Sequence, residues 1–218
     1  MISLTEVTLK YPGMPPVLDR VSARFESGQR IGILALPGSG KSSLAKLLSG
    51  AIEPSGGEVS RQGKVSWPLG FAGVFHPELT GFANLELLAQ MTGEDLDAML
   101  EWSIGFGGLE SALSKNLKMF SPQERAMLGY CCSLSVPCDW YIADETLTVG
   151  GKAWLEQCES ALSARLEGCG LVFISKNAHH LKKHCQRIIA LVDGHLVECP
   201  NVDVAEQVLA QWPKQGNS

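Results

Sequence analysis

Ala35-Leu36-Pro37-Gly38-Ser39-Gly40-Lys41-Ser42-Ser43 is the stretch whose reading decides the fold. Before it runs Arg30-Ile31-Gly32-Ile33-Leu34, an apolar, branched segment with the length of a buried strand. After it, Ser42 to Leu48 carries apolar residues at helical spacing. Strand, glycine-rich loop and helix in that order form the entry of a nucleotide-binding α/β domain. Glycines let consecutive backbone N–H groups converge on phosphate oxygens without interference from Cβ atoms, and the helix opening at Lys41 adds the positive end of its dipole. Lys41 is placed to reach the β- and γ-phosphates, and the Ser42 hydroxyl, on the first helical turn, to bind Mg2+. Ala35 stands where the pattern has its first glycine; if that position needs positive φ, the methyl costs about 1 kcal/mol. Without Lys41 and Ser42 the same glycines would read as a plain strand-to-helix turn.

Working outward, Trp140-Tyr141-Ile142-Ala143-Asp144-Glu145 is a second apolar strand, ending in two carboxylates. Ligands of open α/β sheets bind at the carboxyl ends of the strands, which would put Asp144 at the Mg2+ shell and Glu145 near an attacking water. Taken alone, the pair reads first as a strand ending in solvated acids; it is the phosphate loop about a hundred residues earlier that favours the metal. Strands are also expected at Ile2 to Leu9, closed by the turn Tyr11-Pro12-Gly13, and at Val21 to Phe25, Leu171 to Ile174 and Ile188 to Val192. Helices are expected over Lys152 to Leu166, Ala178 to Cys185 and Asp203 to Trp212. The pattern from about Pro77 to Tyr130 is mostly helical, with Leu85, Leu88, Leu96 and Met99 set among acidic residues. The expectation is one domain over residues 1–218, with a largely parallel sheet and a helical sub-lobe at about 77–130.

Eighteen basic against 23 acidic residues, a net charge of -5, leave no broad electrostatic footprint for a phosphate polymer, which excludes nucleic acid as the main partner. The amino terminus lacks a basic-then-apolar secretory pattern, and no apolar run approaches the roughly 20 residues of a bilayer-spanning helix, so a cytosolic location is expected. The seven cysteines are odd in number, include the adjacent Cys131 and Cys132, and contain no C-x-x-C pair; they read as reduced, partly buried thiols. His180 and His184, spaced i, i+4 with Cys185 beside them, have the spacing of two metal ligands, but no further ligand is evident.

In the order of these segments the chain resembles the ABC ATPases over nearly its whole length. Tyr11 matches the aromatic residue that stacks on adenine in that family, although by itself it is more often a turn tyrosine packed on its own strand. The run Val65-Ser66-Trp67-Pro68-Leu69-Gly70-Phe71-Ala72-Gly73, continuing through Phe75 to Leu79-Thr80-Gly81 and Asn84, is similar to ATP-binding subunits that export capsular or O-antigen polysaccharide. The resemblance implies a P-loop NTPase core with a mostly parallel sheet, an antiparallel amino-terminal β-part and a helical sub-lobe. It also implies ATP and Mg2+ as ligands, a head-to-tail homodimer, a transmembrane permease partner and a peripheral place on the inner face of the membrane.

It assigns roles residue by residue as well. Ser121, in Phe120-Ser121-Pro122-Gln123-Glu124-Arg125, matches the serine that opens the signature helix covering the partner's ATP. The same residues encode an ordinary helix start, with Pro122 at the first helical position and an S-x-x-E capping box. Gln123 and Glu124 replace the usual glycines and bring bulk and negative charge toward a triphosphate. His76 stands for the glutamine that links the metal site to the permease, Gly151 for an aspartate that crosses the dimer interface, and Lys176 for the switch histidine. An ammonium at Lys176 attracts a γ-phosphate but accepts no hydrogen bond from water. Slow hydrolysis is therefore expected, with Glu145, Lys41, His76 and Lys176 as the catalytic set. A nucleotide-dependent scaffold, the silent half of a heterodimer and a soluble P-loop kinase are the alternatives.

Overall fold

The computed structural model describes residues 1–145, 147–149 and 152–212, with backbone alone at Ala72, Lys152, Ala153 and Leu155. Gly151, matched above to the interface aspartate, and its neighbours Thr146 and Gly150 lie outside the described residues. In chain order the elements begin with β1 (Ile2–Leu9), β2 (Leu18–Phe25), β3 (Arg30–Ala35), α1 (Lys41–Ser49), β4 (Gly56–Arg61) and β5 (Val65–Pro68). Four helices follow: α2 (Gly81–Thr92), α3 (Leu96–Glu101), α4 (Glu110–Leu113) and α5 (Pro122–Ser135). The remainder is β6 (Trp140–Asp144), α6 (Lys152–Arg165), β7 (Gly170–Ser175), α7 (Ala178–His184), β8 (Arg187–Val192), β9 (His195–Cys199) and α8 (Val202–Gln211). They form two compact units.

The first unit comprises Met1–Trp67, Cys138–Glu145 and Leu166–Ser218. Its larger sheet has the order β5-β6-β7-β3-β8-β9, and β6, β7, β3 and β8 are mutually parallel. These central strands are buried almost throughout, which is why their sequences are continuous apolar runs without alternation. The register sets Asp144 beside Ile174, and Leu34 beside Ser175, along one carboxyl edge. Beneath them Leu44, Leu47 and Leu48 of α1 join Ile31, Ile33, Trp140, Ile142, Val172 and Ile174 in the core. A separate antiparallel sheet, β2-β1-β4, contributes Ile2, Val7 and Phe25 to the same core.

Three strands escaped the sequence reading. β4 and β9 contain glycine or charged residues and are only partly buried, and β5 lies in the Trp67-Pro68 run that was read without a secondary structure. β2 begins at Leu18, three positions before the expected Val21. Ala35 is not among the residues with positive φ; it is an ordinary buried strand residue paired with Leu191, so the feared backbone cost does not arise.

The second unit comprises Pro68–Pro137 and Thr146–Arg165 and is helical. Thr80 caps α2 by accepting from the Ala83 N–H at 3.1 Å, and Gly93 ends it with a left-handed residue. Asp95 caps α3, which runs into a π-helical turn at Trp102–Phe106. The buried face of α5, from Met127 to Ser135, is the centre of the unit. Tyr130 is tied to α6 by its hydroxyl, which donates to the Cys158 carbonyl at 3.1 Å. All seven cysteines are free, and burial pushes the Cys131 thiol up to about 12. Among the described residues no three His, Cys, Asp or Glu side chains are grouped to hold a metal, His180, His184 and Cys185 included.

Candidate nucleotide site

The loop after β3 turns through two left-handed glycines, Gly38 at φ 81° and Gly40 at φ 94°. At Gly40 a Cβ would come 2.1 Å from Val17 Cγ1, so glycine is required there by packing as well as by backbone. The loop is braced from within: the Ser39 hydroxyl and N–H both donate to the Leu36 carbonyl, at 2.8 and 3.2 Å. Lys41 Nζ donates to that carbonyl at 3.0 Å. Pro37 and Gly38 stand exposed on the outer side of the loop, and Ser42 is exposed on the first turn of α1. Tyr11, 37% exposed, holds its ring at this place through a 3.1 Å hydrogen bond between its hydroxyl and that of Ser43.

The same lysine reaches across the sheet edge. Its ammonium lies 3.2 Å from Glu145 Oε1, the first residue past β6. The other carboxylate oxygen of Glu145 accepts from the Ser175 hydroxyl at 3.0 Å and from the Lys176 N–H at 3.1 Å. Burial pushes the Glu145 carboxyl up. The hydrogen bonds from Lys176, Lys41 and Ser175, with the Lys41 charge, outweigh it and hold the group below the usual carboxylate range. Asp144 Oδ1 is buried and meets no hydrogen-bond donor among the described residues. An orphaned carboxylate oxygen of that kind is unfavourable unless a cation or ordered water completes it, so Asp144 fits a metal shell.

The sequence-derived residues thus divide. Tyr11, Ala35, Pro37, Gly38, Ser39, Gly40, Lys41, Ser42, Ser43, Asp144, Glu145 and Lys176 all lie in the α/β unit, around the carboxyl edge of β3, β6 and β7. The Lys176 side chain is exposed and lines a cavity with Leu34, Leu36, Glu206, Leu209 and Ala210 of α8. His76 and Ser121 lie in the helical unit. Asn84 clamps His76: its Oδ1 accepts from the His76 N–H at 2.7 Å and its Nδ2 donates to the His76 carbonyl at 3.1 Å. His76 Nδ1 accepts from the Glu78 N–H at 3.3 Å, which leaves Nε2 as the ring's donor. Ser121 caps α5 in the full capping box with Glu124.

Two participants were missed in the sequence. Ser175 holds Glu145 and orders the following turn by accepting from the Asn177 N–H at 3.1 Å. Its signal was a lone hydroxyl at the end of the apolar run Leu171 to Ile174. Val17, packed against Gly40, carries no signal beyond its position in the β1–β2 connection.

Comparison with known proteins bears on what such a site does. Residues 18–148 match the family model described as ABC transporter. The chain is 32% identical over 216 residues to the capsule polysaccharide export ATP-binding protein CtrD of Neisseria meningitidis serogroup B, covering 98% of this chain and 100% of the relative. It is 31% identical over 217 residues to the ATP-binding protein BexA of Haemophilus influenzae, with the same coverage of 98% and 100%. Among solved structures, an ATP-binding subunit of an ABC transporter superposes with a TM-score of 0.75 at 18% identity, covering 95% of this chain and 92% of that one. A dimeric ATP-binding cassette in a post-hydrolysis state with ADP and Pi gives 0.75 at 20% identity, covering 90% and 96%. These structural likenesses establish the fold: a P-loop core with a mixed, mostly parallel sheet, a separate antiparallel sheet and helices.

Proposed function

The chain belongs to the ABC transporter family, and on that premise we propose that it is the ATP-binding subunit of a capsular-type polysaccharide exporter, hydrolysing Mg-ATP to drive a transmembrane permease. One observation carries the proposal: at a single sheet edge, Lys41 of the phosphate loop meets Glu145, beside the unpartnered Asp144 oxygen. Full-length likeness to an exporter ATP-binding protein supplies the substrate class. The working unit is a homodimer on the inner face of the membrane, each copy covering the other's nucleotide with the α5 end.

The residues divide the work. Tyr11 stacks on the base, and the loop amides with Lys41 hold the phosphates. Asp144 and the Ser42 hydroxyl fit Mg2+, which when bound supplies charge neutralisation on the phosphate oxygens. Glu145, kept ionised by its three donors, is the acceptor for a proton of the attacking water. Ser175 and the Lys176 N–H fix that carboxylate in place. A pure binding module has no need of a carboxylate so restrained, which favours turnover.

Turnover is slow. Gln123 and Glu124, His76, Gly151 and Lys176 each replace a group that would be preorganised for the transition state. Loss of one such contact costs roughly a hundred- to a thousandfold in rate, and several combine with strong non-additivity. Phosphate release by purified protein is expected below about ten per second, the general median for enzymes. Lys41→Ala abolishes nucleotide binding, whereas Glu145→Gln retains binding and stops release. Absence of saturable ATP binding at millimolar concentration would overturn the whole reading, and fast release would overturn the slow-turnover part alone.

A further inference from the structure

We propose that Asn84 is a positioning residue that, with the Glu78 N–H, fixes His76 as a hydrogen-bond donor to the terminal phosphate of ATP. The inference rests on the reading above that gives His76 a part in turnover. Asn84 is 2% exposed in the first turn of α2, beside the buried Leu85, Leu88 and Ala89. Asparagine is a poor helix former and loses hydration on burial, so a packed face favours an apolar side chain there unless the amide is satisfied. It is satisfied by the loop before the helix. Oδ1 takes the His76 N–H at 2.7 Å, and Nδ2 donates to the carbonyls of His76, Thr80 and Leu79 at 3.1, 2.9 and 3.4 Å. One buried amide thus holds both backbone groups of a single residue, and that residue is itself exposed.

The ring is restrained as well. A backbone N–H can only donate, so the 3.3 Å contact from Glu78 makes Nδ1 the acceptor and leaves Nε2 to donate. A donor suits an anionic phosphate oxygen and does not suit a metal ion, which takes lone pairs. The glutamine that His76 replaces carries both an acceptor and a donor, whereas this imidazole offers a donor alone. The rest of the segment makes that donor rigid. The Leu117 N–H donates to the Leu79 carbonyl at 2.8 Å, the Lys118 N–H to that of Pro77 at 2.9 Å, and the Gly81 N–H to that of Lys115 at 3.1 Å. Lys118 Nζ pairs with the Glu78 carboxylate at 2.6 Å. Gly81 packs so closely that a Cβ there would lie 2.8 Å from Phe120 Cζ. His76 is thus set in a frame made by two segments of the helical unit, closed by the buried Asn84 amide. A donor fixed in advance needs no reorganisation when negative charge reaches it.

The test uses the full chain in a Glu145→Gln background, so that turnover does not consume the ligand. Affinities for ATP and ADP are measured by titration calorimetry, and Mg2+ is titrated separately at fixed ATP. His76→Ala is expected to weaken ATP by about three- to tenfold, the scale of one hydrogen bond to a charged group at a solvent-open site. Affinity for ADP and the Mg2+ midpoint stay as they were. Asn84→Ala is expected to weaken ATP in the same selective way and to add nothing in a His76→Ala chain. Leu88→Ala, a cavity in the same helix, lowers the urea midpoint without changing the ratio of ATP to ADP affinity, which separates positioning from stability. Where Asn84→Ala does not fold, Asn84→Ser is read in its place. An unchanged ratio in His76→Ala, a shifted Mg2+ midpoint, or an undiminished loss from Asn84→Ala in the His76→Ala chain overturns this inference alone. No saturable ATP binding by the parent protein overturns it together with the functional reading.

Discussion

At Glu145 backbone and side chain are constrained together. Its φ of 64° lies in the left-handed region, uncommon for a residue with a Cβ, and its N–H is fixed to the Ile174 carbonyl at 2.8 Å. That conformation turns the carboxylate back toward Lys41, Ser175 and the Lys176 N–H. Because the folded group titrates below its unfolded value of 4.5, its contribution to stability is fully present above that value and is lost as pH falls through the lower, folded one. The acid limb of single-turnover hydrolysis is therefore expected below 4.5, and Ser175→Ala, which removes one donor, should move it upward while leaving ATP binding intact. A limb that stays put in Ser175→Ala would show that the serine does not hold the base. The places of Lys41, Asp144 and Glu145 were legible in the sequence because a glycine-rich turn between an apolar strand and a helix fixes the first, and a second apolar strand ending in two acids fixes the others. Ser175 was not, since a buried hydroxyl announces itself only when its partner, thirty positions away, is known.

Between elements, the end of α5 shows how a helix terminus is completed from elsewhere in the chain. Val136 closes it with an extended residue, leaving the last carbonyls to find donors. Arg165, the final residue of α6, supplies them: its Nε donates to the Leu134 carbonyl and its Nη2 to the Ser135 carbonyl at 3.4 Å. The guanidinium also lies 6.0 Å from the centre of the Trp102 ring, which joins the π-helical turn to the same point. Arg165→Ala is expected to lower stability by about 2 kcal/mol in urea titration, the scale for charge-assisted hydrogen bonds to partly buried carbonyls. Lys at this position should restore less than half, because a single ammonium cannot span both carbonyls in the planar fork that Arg offers. Linear reading does not attach α6 to this unit, as β6 intervenes before it. The central strands were legible because burial on both faces makes them apolar throughout, whereas β9 was not, although Asp193-Gly194 before it is a hairpin signal: both residues have positive φ, at 45° and 78°.

At the scale of the whole molecule, the balance of charge and apolar surface bears on how the protein reaches a membrane. Among the described residues no helix is long and apolar enough to cross one. The net charge of -5 repels the anionic lipids of an inner leaflet, where each basic group near the surface would otherwise contribute about 1 kcal/mol. Neither term favours lipid by itself, and under the proposed function a peripheral place would come from the permease. Exposed apolar side chains on the helical unit, among them Phe71, Val74, Phe82 and Met91, offer a surface of the kind that protein partners cover. Purified protein is accordingly expected to remain unbound in flotation with anionic vesicles at low salt, where any electrostatic attraction would be strongest. Co-expressed with its permease, it should sediment with membranes and resist a high-salt wash, because an apolar contact is not weakened by screening. Charge substitutions at Phe82 and Met91 should release it while ATP binding to the purified chain is unchanged; binding to bare vesicles, or release by salt alone, would refute the assignment of that surface.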